Sequence, residues 1–310
     1  MTTFSLGREG ASGRFERQAS KFRDEPPAIV AGRYHLYVCW ACPWAHRTVI
    51  ARELMGLQDA ISMSAVDPYR DETGWAFTGG GYTDPVNGFA LLSEAYAATD
   101  SGFDGRFSVP VLWDKEEGRI VNNESADVLR ILVTDFAALA EHPVELVPDA
   151  LREEIDVLNA RIYDDVNNAV YQAGFTTDQA HYEERVRAIF ALLDELDDRL
   201  AGRRFLFGGE PLETDWRLFT TLVRFDAVYA IHFKCSLRKI AEYRHLWPYL
   251  RDMYQQPQIA DTVRLDEIRA HYYRTHPSIN PSGLVAVAPA SAAELGAPHD
   301  RARLGAALRA

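Results

Sequence analysis

The sequence predicts an α/β domain followed by an all-helical domain, and three observations support this prediction. The chain has 310 residues, which exceeds the usual size of a single domain. Strand-like and helix-like runs alternate up to about residue 135. Beyond Pro148, apolar residues recur every three or four positions, as on amphipathic helices. Because strands come first and helices follow, we expect two separately built domains.

The first predicted domain covers residues 33–135 and follows an irregular N-terminal arm, residues 1–32, which ends in Pro26-Pro27. Aromatic and β-branched runs predict strands, and a proline directly after Cys42 predicts a helix start, where its missing N–H needs no partner. The predicted strands are 34–39, 61–66, 109–113 and 120–123, and the predicted helices are 44–55 and 124–133. Residues 67–106 form an insertion with a short helix near 89–97. The order β-α-β, insertion, β-β-α matches a thioredoxin-like sheet.

The second predicted domain covers residues 149–275 and is entirely helical. Apolar spacing predicts helices over 151–166, 186–200, 216–231, 237–253 and 259–272, with Gly202 ending the second. Residues 276–310 form a C-terminal tail. Beyond Pro289 this tail is rich in Ala, Pro and Gly, and we expect it to be mobile.

Composition excludes several classes of function. Lys and Arg total 33 against 45 Asp and Glu, a net charge of -12, so a nucleic-acid partner is not expected. No run reaches the ~20 apolar residues that a membrane helix needs. The first 24 residues carry five basic residues and no apolar segment, which argues against a secretory signal. Three cysteines are too few for a disulfide framework, so we expect a cytoplasmic protein.

Cys42 is the strongest candidate for chemistry. A cysteine at a helix start faces unpaired N–H groups and the positive end of the helix dipole, and such positions lower a thiol pKa from ~8.5 to about 3.5–7.5. Alone, the Cys42-Pro43 pair also fits an ordinary buried strand end before a helix. His46, one turn later, is expected to be a structural hydrogen-bonding residue, and Cys235 is expected to be inert.

The residues around Cys42 resemble those of the glutathionyl-hydroquinone reductases, the Xi class of glutathione transferases. The resemblance spans residues 13–289 and includes many ordered blocks. They are Tyr34-His35-Leu36-Tyr37-Val38, Ala41-Cys42-Pro43-Trp44-Ala45-His46-Arg47, Gly74-Trp75-Ala76-Phe77, Arg106-Phe107-Ser108-Val109-Pro110-Val111-Leu112-Trp113-Asp114, Asn122-Asn123-Glu124-Ser125, Val170-Tyr171, Gly174-Phe175, Asp215-Trp216-Arg217-Leu218-Phe219, Arg224-Phe225-Asp226, His232-Phe233-Lys234-Cys235 and His271-Tyr272-Tyr273-Arg274.

This resemblance implies a thioredoxin-like domain, a glutathione-transferase-type helical domain and a homodimer. It implies Cys42 as the nucleophile, glutathione as co-substrate, a quinone-derived small molecule as substrate, and no metal. The implied reaction passes through a disulfide between Cys42 and glutathione. A second glutathione then releases the enzyme and forms oxidised glutathione.

The resemblance also implies where glutathione binds. Val109-Pro110 resembles the cis-proline strand start of thioredoxin folds, although an edge-strand proline is the plain alternative. Glu124-Ser125 begins a helix and can offer N–H groups and a hydroxyl to the γ-glutamyl carboxylate, which is also compatible with a plain helix cap. Trp75 and Arg106 are implied contacts, and Phe107 and Ser108 complete the candidate set.

Three tyrosines complete the implied site. Tyr171 corresponds to the proton donor to the leaving hydroquinone, whereas Tyr229 and Tyr272 correspond to residues that hydrogen-bond the cysteine sulfur. Each tyrosine alone also fits simple packing on a helix, because phenol rings commonly fill cores.

Two positions depart from the family pattern. Cys39 forms a CxxC with Cys42, but Ala45 occupies the place of a resolving cysteine, so we expect monothiol chemistry. The sequence also allows a protective disulfide between Cys39 and Cys42 as an open alternative. Leu212 replaces a capping Thr, which is expected to weaken the helix start after it by ~1 kcal/mol.

Two other functions stay open. An omega-like thioltransferase or dehydroascorbate reductase shares the Cys-Pro helix but does not require the three tyrosines. A non-catalytic glutathione-transferase-like binding module does not require Cys42 or Tyr171. The sequence does not identify the natural quinone.

Overall fold

The computed structural model describes residues 8–9, 13–287 and 291–305, and these fall into two compact units. The first unit contains Gln18–Val144 and Asp266–His271, and the second contains Glu145–Leu265 together with the described residues before Gln18 and after His271. The predicted N-terminal arm is thus divided between the units. Its second-unit part contains an antiparallel pair, β1 (Arg8–Glu9) and β2 (Phe15–Glu16). The remainder of the predicted arm and tail, residues 1–7, 10–12, 288–290 and 306–310, lies outside the described residues.

A four-stranded sheet forms the centre of the first unit. Its strands are β3 (Tyr34–Val38), β4 (Ile61–Ala65), β5 (Val111–Asp114) and β6 (Arg119–Asn122), in the order β4-β3-β5-β6. β3 is parallel to β4 and antiparallel to β5, and β5 is antiparallel to β6. All residues of β3 and β5 are buried, because both strands lie inside the sheet. The predicted thioredoxin-like order is confirmed.

Three helices accompany this sheet: α1 (Pro43–Leu54), α2 (Leu92–Thr99) and α3 (Ser125–Thr134). Pro43 is the first residue of α1, as predicted. Gly56 follows α1 with a φ of 63°, a left-handed conformation that glycine adopts without the steric cost of a Cβ. α1 and α3 pack together, and α2 lies in the insertion.

From Glu145 onward the second unit is helical, as predicted. Its helices are α4 (Arg152–Ile162), α5 (Ala169–Phe175), α6 (Gln179–Arg199), α7 (Glu213–Arg224), α8 (Leu246–Tyr254), α9 (Leu265–Arg274), which crosses the unit boundary, and α10 (Ala292–Leu295). Wide π-helical turns over Tyr163–Asn167 and Phe225–Tyr229 follow α4 and α7. Helix α6 begins earlier than predicted, because Asp178 accepts hydrogen bonds from the N–H groups of Ala180 and His181. Among the described helices, none is both long and apolar enough to cross a membrane.

The prediction of a helix over 237–253 was wrong in its first half. That stretch contains a 3-10 turn over Ile240–Glu242, and the α-helix begins only at Leu246. The Asp226 carboxylate accepts the N–H groups of Ile240 and Ala241 at 2.6 and 3.0 Å, which holds the chain in a turn. Pro248 would interrupt a continuous helix here, but it is tolerated in the first turn of α8.

The prediction over 259–272 was also wrong at its start. Residues Ala260–Thr262 form a 3-10 turn, Val263 is extended, and α9 begins at Leu265. The apolar spacing continues across this break because Ile259 is buried just before the turn and Ile268 is buried within α9. The prediction from apolar spacing therefore merged two separate segments into one helix.

The described part of the C-terminal tail, residues 291–305, is hydrogen-bonded to the rest of the second unit, contrary to the expectation of a mobile segment. Arg301 is 2% exposed, and its guanidinium donates to the carbonyls of Leu200, Arg203 and Arg204. Gln255 also donates to the carbonyls of Leu295 and Ala297, both at 2.9 Å. These bonds join residues far apart in the chain, so the Ala-rich composition gave no sign of them.

The Leu212 side chain does not cap α7, as expected where Leu replaces a capping Thr. The start of α7 is anchored instead by Asp215, which is fully buried. Its carboxylate accepts the N–H groups of Leu212 and Leu206 and the hydroxyl of Tyr249, all at 2.9 Å. A buried carboxylate with three donors thus anchors the start of the helix.

The buried Arg301 generates a stability prediction. Arg301→Met keeps the side-chain volume but leaves three carbonyls without their donor, so we expect the free energy of unfolding to fall by about 2–3 kcal/mol. Urea denaturation followed by circular dichroism measures this change. Arg303→Met is the control, because Arg303 pairs with Asp300 at the exposed surface and contributes little. Equal effects of the two substitutions would contradict the role of Arg301.

Candidate functional site

Cys42 lies at the start of α1, where the sequence predicted it. Its backbone is extended, with φ -78° and ψ 121°, and its carbonyl accepts the first helical hydrogen bond from the His46 N–H at 3.0 Å. The Cys42 N–H donates to the carbonyl of Cys39 at 3.0 Å, which tightens the loop after β3. The side chain is half-buried at the positive end of the helix dipole, which favours a negatively charged sulfur. His46 is buried inside α1.

The Val109-Pro110 peptide bond is cis, which confirms the sequence prediction. Both residues are buried just before β5. The Cys42 Sγ lies 3.7 Å from the Val109 carbonyl oxygen, so the sulfur and this backbone face each other. Among the described residues, the Val109 N–H has no hydrogen-bond partner. This edge of the domain therefore offers a backbone donor beside the thiol.

Tyr96, in α2, connects two segments that carry candidate binding residues, and the sequence gave no role to it. Its hydroxyl donates to the Ser108 carbonyl at 2.7 Å and accepts the Ser108 N–H at 3.1 Å. It also accepts the side-chain amide of Asn123 at 3.0 Å. The one donor and the two lone pairs of the Tyr96 hydroxyl are thus all used. The fully buried phenol fixes the segment before Pro110 relative to the segment before Ser125.

Glu124 and Ser125 begin α3 as expected, but the carboxylate of Glu124 caps its own helix. Glu124 Oε1 accepts the Ala126 N–H at 3.2 Å, and Oε2 accepts the Ser20 hydroxyl at 3.0 Å. Within the described part of the chain, the Ser125 N–H has no partner. The helix start therefore presents a carboxylate and a backbone donor side by side, which suits a ligand group with both charges.

Trp75 is only 5% exposed, and α9 contributes to its position. The imidazole of His271 stacks on the indole, with ring centroids 5.2 Å apart and an interplanar angle of 23°. His271 Nδ1 donates to the Pro68 carbonyl at 2.7 Å, which fixes the imidazole. Arg70 lies over the same indole, with Cζ 5.1 Å from the ring centroid. The sequence blocks included His271 but did not indicate this stacking.

Arg106 and Phe107 lie in the loop before Val109. The Arg106 N–H donates to the Gln18 side chain at 3.0 Å, and the Arg106 side chain is half-buried. The Phe107 ring packs edge-on against Tyr96, with centroids 5.4 Å apart. The first unit thus brings Arg106, Phe107, Ser108 and Val109 into one continuous segment held by Tyr96.

The second unit brings the three predicted tyrosines together. The Tyr272 hydroxyl is hydrogen-bonded to the Tyr171 hydroxyl at 2.5 Å and to the Tyr229 hydroxyl at 3.0 Å. The rings of Phe175 and Phe233 pack on Tyr171. Burial raises the pKa of Tyr229 and of Tyr272 well above the ordinary value, and Arg224 only partly offsets this rise. Both phenols are therefore neutral donors at physiological pH.

The other two cysteines have different surroundings from Cys42. Cys39 and Cys235 are fully buried, and burial raises the pKa of both thiols. All three cysteines are thiols, with no disulfide between Cys39 and Cys42. Among the described residues, no group of three or more His, Cys, Asp or Glu side chains is arranged to hold a metal ion.

Comparisons with known proteins agree with this fold. A family model described as "Glutathione S-transferase, N-terminal domain" matches residues 41–135, and one described as "Glutathione S-transferase, C-terminal domain" matches residues 179–252. Glutathionyl-hydroquinone reductase PcpF of Sphingobium chlorophenolicum is 45% identical over 91% of this chain and 92% of its own. Glutathionyl-hydroquinone reductase YqjG of Escherichia coli is 45% identical over 94% of both chains.

Solved structures give the same result. The Xi-class glutathione transferase from Natrialba magadii is 48% identical and matches with a TM-score of 0.90 over 94% of both chains. The glutathione-bound structure of YqjG matches with a TM-score of 0.87 at 44% identity, over 90% of this chain and 96% of that one. The fold and the matched models define a glutathione transferase. More narrowly, the chain belongs to the Xi class, the glutathionyl-hydroquinone reductases.

The exposure of the cysteines generates a labelling prediction. Iodoacetamide added to the native protein at neutral pH is expected to modify Cys42 well before Cys39 and Cys235, because Cys42 is half-buried whereas Cys39 and Cys235 are fully buried. Peptide mapping by mass spectrometry measures the three rates. The control is the same reaction in urea, where the three rates should converge. Equal labelling of Cys42 and Cys235 in the native protein would contradict the prediction.

Proposed function

We propose that this enzyme reduces glutathionyl-hydroquinones to hydroquinones with glutathione as co-substrate. The observation that carries the proposal is the half-buried Cys42 at a helix start, with its sulfur 3.7 Å from the backbone before a cis-proline. Two relatives at 45% identity over nearly the whole chain carry this activity in their names, and one of them has a glutathione-bound structure.

Glutathione is proposed to bind along the edge of the first unit. The Val109 N–H would pair with the tripeptide backbone, next to the Cys42 sulfur. The γ-glutamyl group carries an ammonium and a carboxylate, which match the Glu124 carboxylate and the Ser125 N–H. The side chains of Trp75 and Arg106 would contact the remainder, and Phe107 and Ser108 would support the segment before Pro110.

The proposed reaction has two steps, and in each a thiolate attacks a sulfur atom. The Cys42 thiolate attacks the glutathione sulfur of the substrate, and the sulfur–carbon bond breaks with its electron pair left on the ring carbon. That carbon takes a proton from Tyr171, which yields the hydroquinone. The thiolate of a second glutathione then attacks the glutathione sulfur bound to Cys42. This releases the Cys42 thiolate and oxidised glutathione, and the proton lost by the second glutathione balances the one given to the ring.

Tyr229 and Tyr272 are proposed to support Cys42 by donating hydrogen bonds to its sulfur. The raised pKa values of both phenols fit this role, because a neutral phenol is a hydrogen-bond donor. We further propose that the enzyme works as a homodimer in a reducing, cytoplasmic compartment. Light scattering would then give twice the chain mass of 34.9 kDa.

The two cysteines of the CxxC sequence give a direct test of monothiol chemistry. Cys42→Ser should reduce turnover to the uncatalysed level because no thiolate remains to attack. Cys39→Ser should leave turnover nearly unchanged, since a second glutathione resolves the mixed disulfide. Steady-state assays with a glutathionyl-hydroquinone measure both variants. If Cys39→Ser lost as much activity as Cys42→Ser, a dithiol mechanism would be correct. Full activity of Cys42→Ser would exclude the proposal.

A substitution at Tyr171 distinguishes the proposed activity from that of a thioltransferase. Tyr171→Phe removes the proton but keeps the ring, so kcat for hydroquinone release should fall about 10²–10⁴-fold, as expected for loss of a general acid. Transfer from a simple mixed disulfide has a thiolate leaving group and should change little. Tyr163→Phe is the control, because Tyr163 lies in the π-helical turn before α5 and has no proposed role in the reaction. Equal slowing of both reactions, or of neither, would favour an omega-like thioltransferase.

A further inference from the structure

Arg17 lies over the ring of Tyr171, although it is remote from Tyr171 in the sequence. Its guanidinium Cζ is 4.8 Å from the centroid of the Tyr171 ring and 5.3 Å from that of Phe15. The two rings are themselves stacked, with centroids 6.3 Å apart at 28°. Arg17 thus places a permanent positive charge next to the phenol that we propose as proton donor.

Arg17 is fixed to the helix that carries Tyr171. Its Nε donates to the side-chain oxygen of Asn168 at 2.7 Å, and the carbonyl of Asn168 accepts the Tyr171 N–H at 3.0 Å. One residue therefore anchors both the guanidinium and the backbone of the tyrosine. On the other side, Arg17 directly follows β2, which packs against α5. This double attachment holds the charge in place over the ring.

Among the described residues, two phenols, a second arginine and two histidines accompany Tyr171. The Tyr272 hydroxyl bonds the Tyr171 hydroxyl, and Tyr229 bonds Tyr272 in turn. The positive charge of Arg224 acts to lower the pKa of Tyr229 and of Tyr272, against the larger effect of burial. The His276 ring contacts those of Tyr272 and Phe175, and burial lowers the pKa of its neighbour His232 to about 4, so His232 is uncharged at neutral pH.

We propose that Arg17 is a positioning residue that stabilises the negative charge left on Tyr171 when its proton moves to the leaving hydroquinone. This inference rests on the proposed function, in which Tyr171 is the donor. When the sulfur–carbon bond breaks, the ring carbon gains an electron pair and takes the Tyr171 proton, so the phenol becomes a phenolate. A cation over the ring face attracts the phenolate more strongly than the neutral phenol.

The test compares two substitutions of Arg17 in the full-length protein. Arg17→Gln removes the charge, and Arg17→Lys keeps it. Arg14→Gln is the matched control, because Arg14 belongs to the same arm but pairs with Asp178 at the exposed surface. Rates are measured from pH 6 to pH 10 with a glutathionyl-menadiol substrate, and separately for thiol transfer from the mixed disulfide of glutathione and 2-mercaptoethanol.

Arg17→Gln should lower kcat for the hydroquinone reaction about 10-fold with little change in KM, and should move the alkaline limb of the pH profile to higher pH, because an uncompensated phenol holds its proton more tightly. Arg17→Lys should recover most of this loss, and Arg14→Gln should match the wild type. Thiol transfer should be unaffected in every variant, which also shows that each variant is folded.

Three results would overturn the inference. They are an unchanged kcat in Arg17→Gln, equal loss of both reactions, or Arg17→Lys being no more active than Arg17→Gln. A wild-type protein that transfers thiols but leaves the glutathionyl-hydroquinone intact would instead exclude the proposed function, and the role of Arg17 with it. The wild-type assay therefore distinguishes the two failures.

Discussion

The antiparallel register between β3 and β5 is the constraint on which the candidate site of the first unit depends. Tyr37 pairs with Val111, so the residues that follow β3 lie beside those that precede β5. Cys42 comes just after β3, and Val109 and Pro110 come just before β5. The pairing thus brings the sulfur to 3.7 Å from the Val109 carbonyl. A shift by one residue would turn every side chain of the strand to the opposite face and separate these groups.

The insertion between β4 and β5 stabilises this arrangement. Helix α2 contributes Tyr96, whose buried hydroxyl bonds both the backbone of Ser108 and the side chain of Asn123. Leaving any of these groups unpaired inside the protein would be costly, so the phenol restricts both segments to one arrangement. The insertion is thus a structural part of the edge at which we propose that glutathione binds, and its Trp75 is held in turn by His271.

In the second unit, departures from regular helix geometry accompany the tyrosine cluster. A π-helical turn precedes α5, which carries Tyr171, and another contains Tyr229. Such a turn adds a residue and rotates the face that follows it, and such turns are frequent at functional sites. The three phenols are buried, and hydrogen bonds among their hydroxyls satisfy these polar groups. Arg17 adds the charge that the phenols lack.

The sequence by itself determined the order of strands and helices, the helix start at Cys42-Pro43, the cis bond at Val109-Pro110 and the family, because these depend on local patterns and on motifs. It also identified the three tyrosines that the fold brings together. Only the tertiary structure decided the roles of Tyr96, His271 and Arg17, the late start of α8 and the attachment of the tail through Arg301. Each of these depends on a bond between residues distant in the chain, such as Asp226 with Ile240 or Arg17 with Asn168. Periodicity and propensity depend on neighbouring residues, so they do not predict hydrogen bonds between residues distant in the chain.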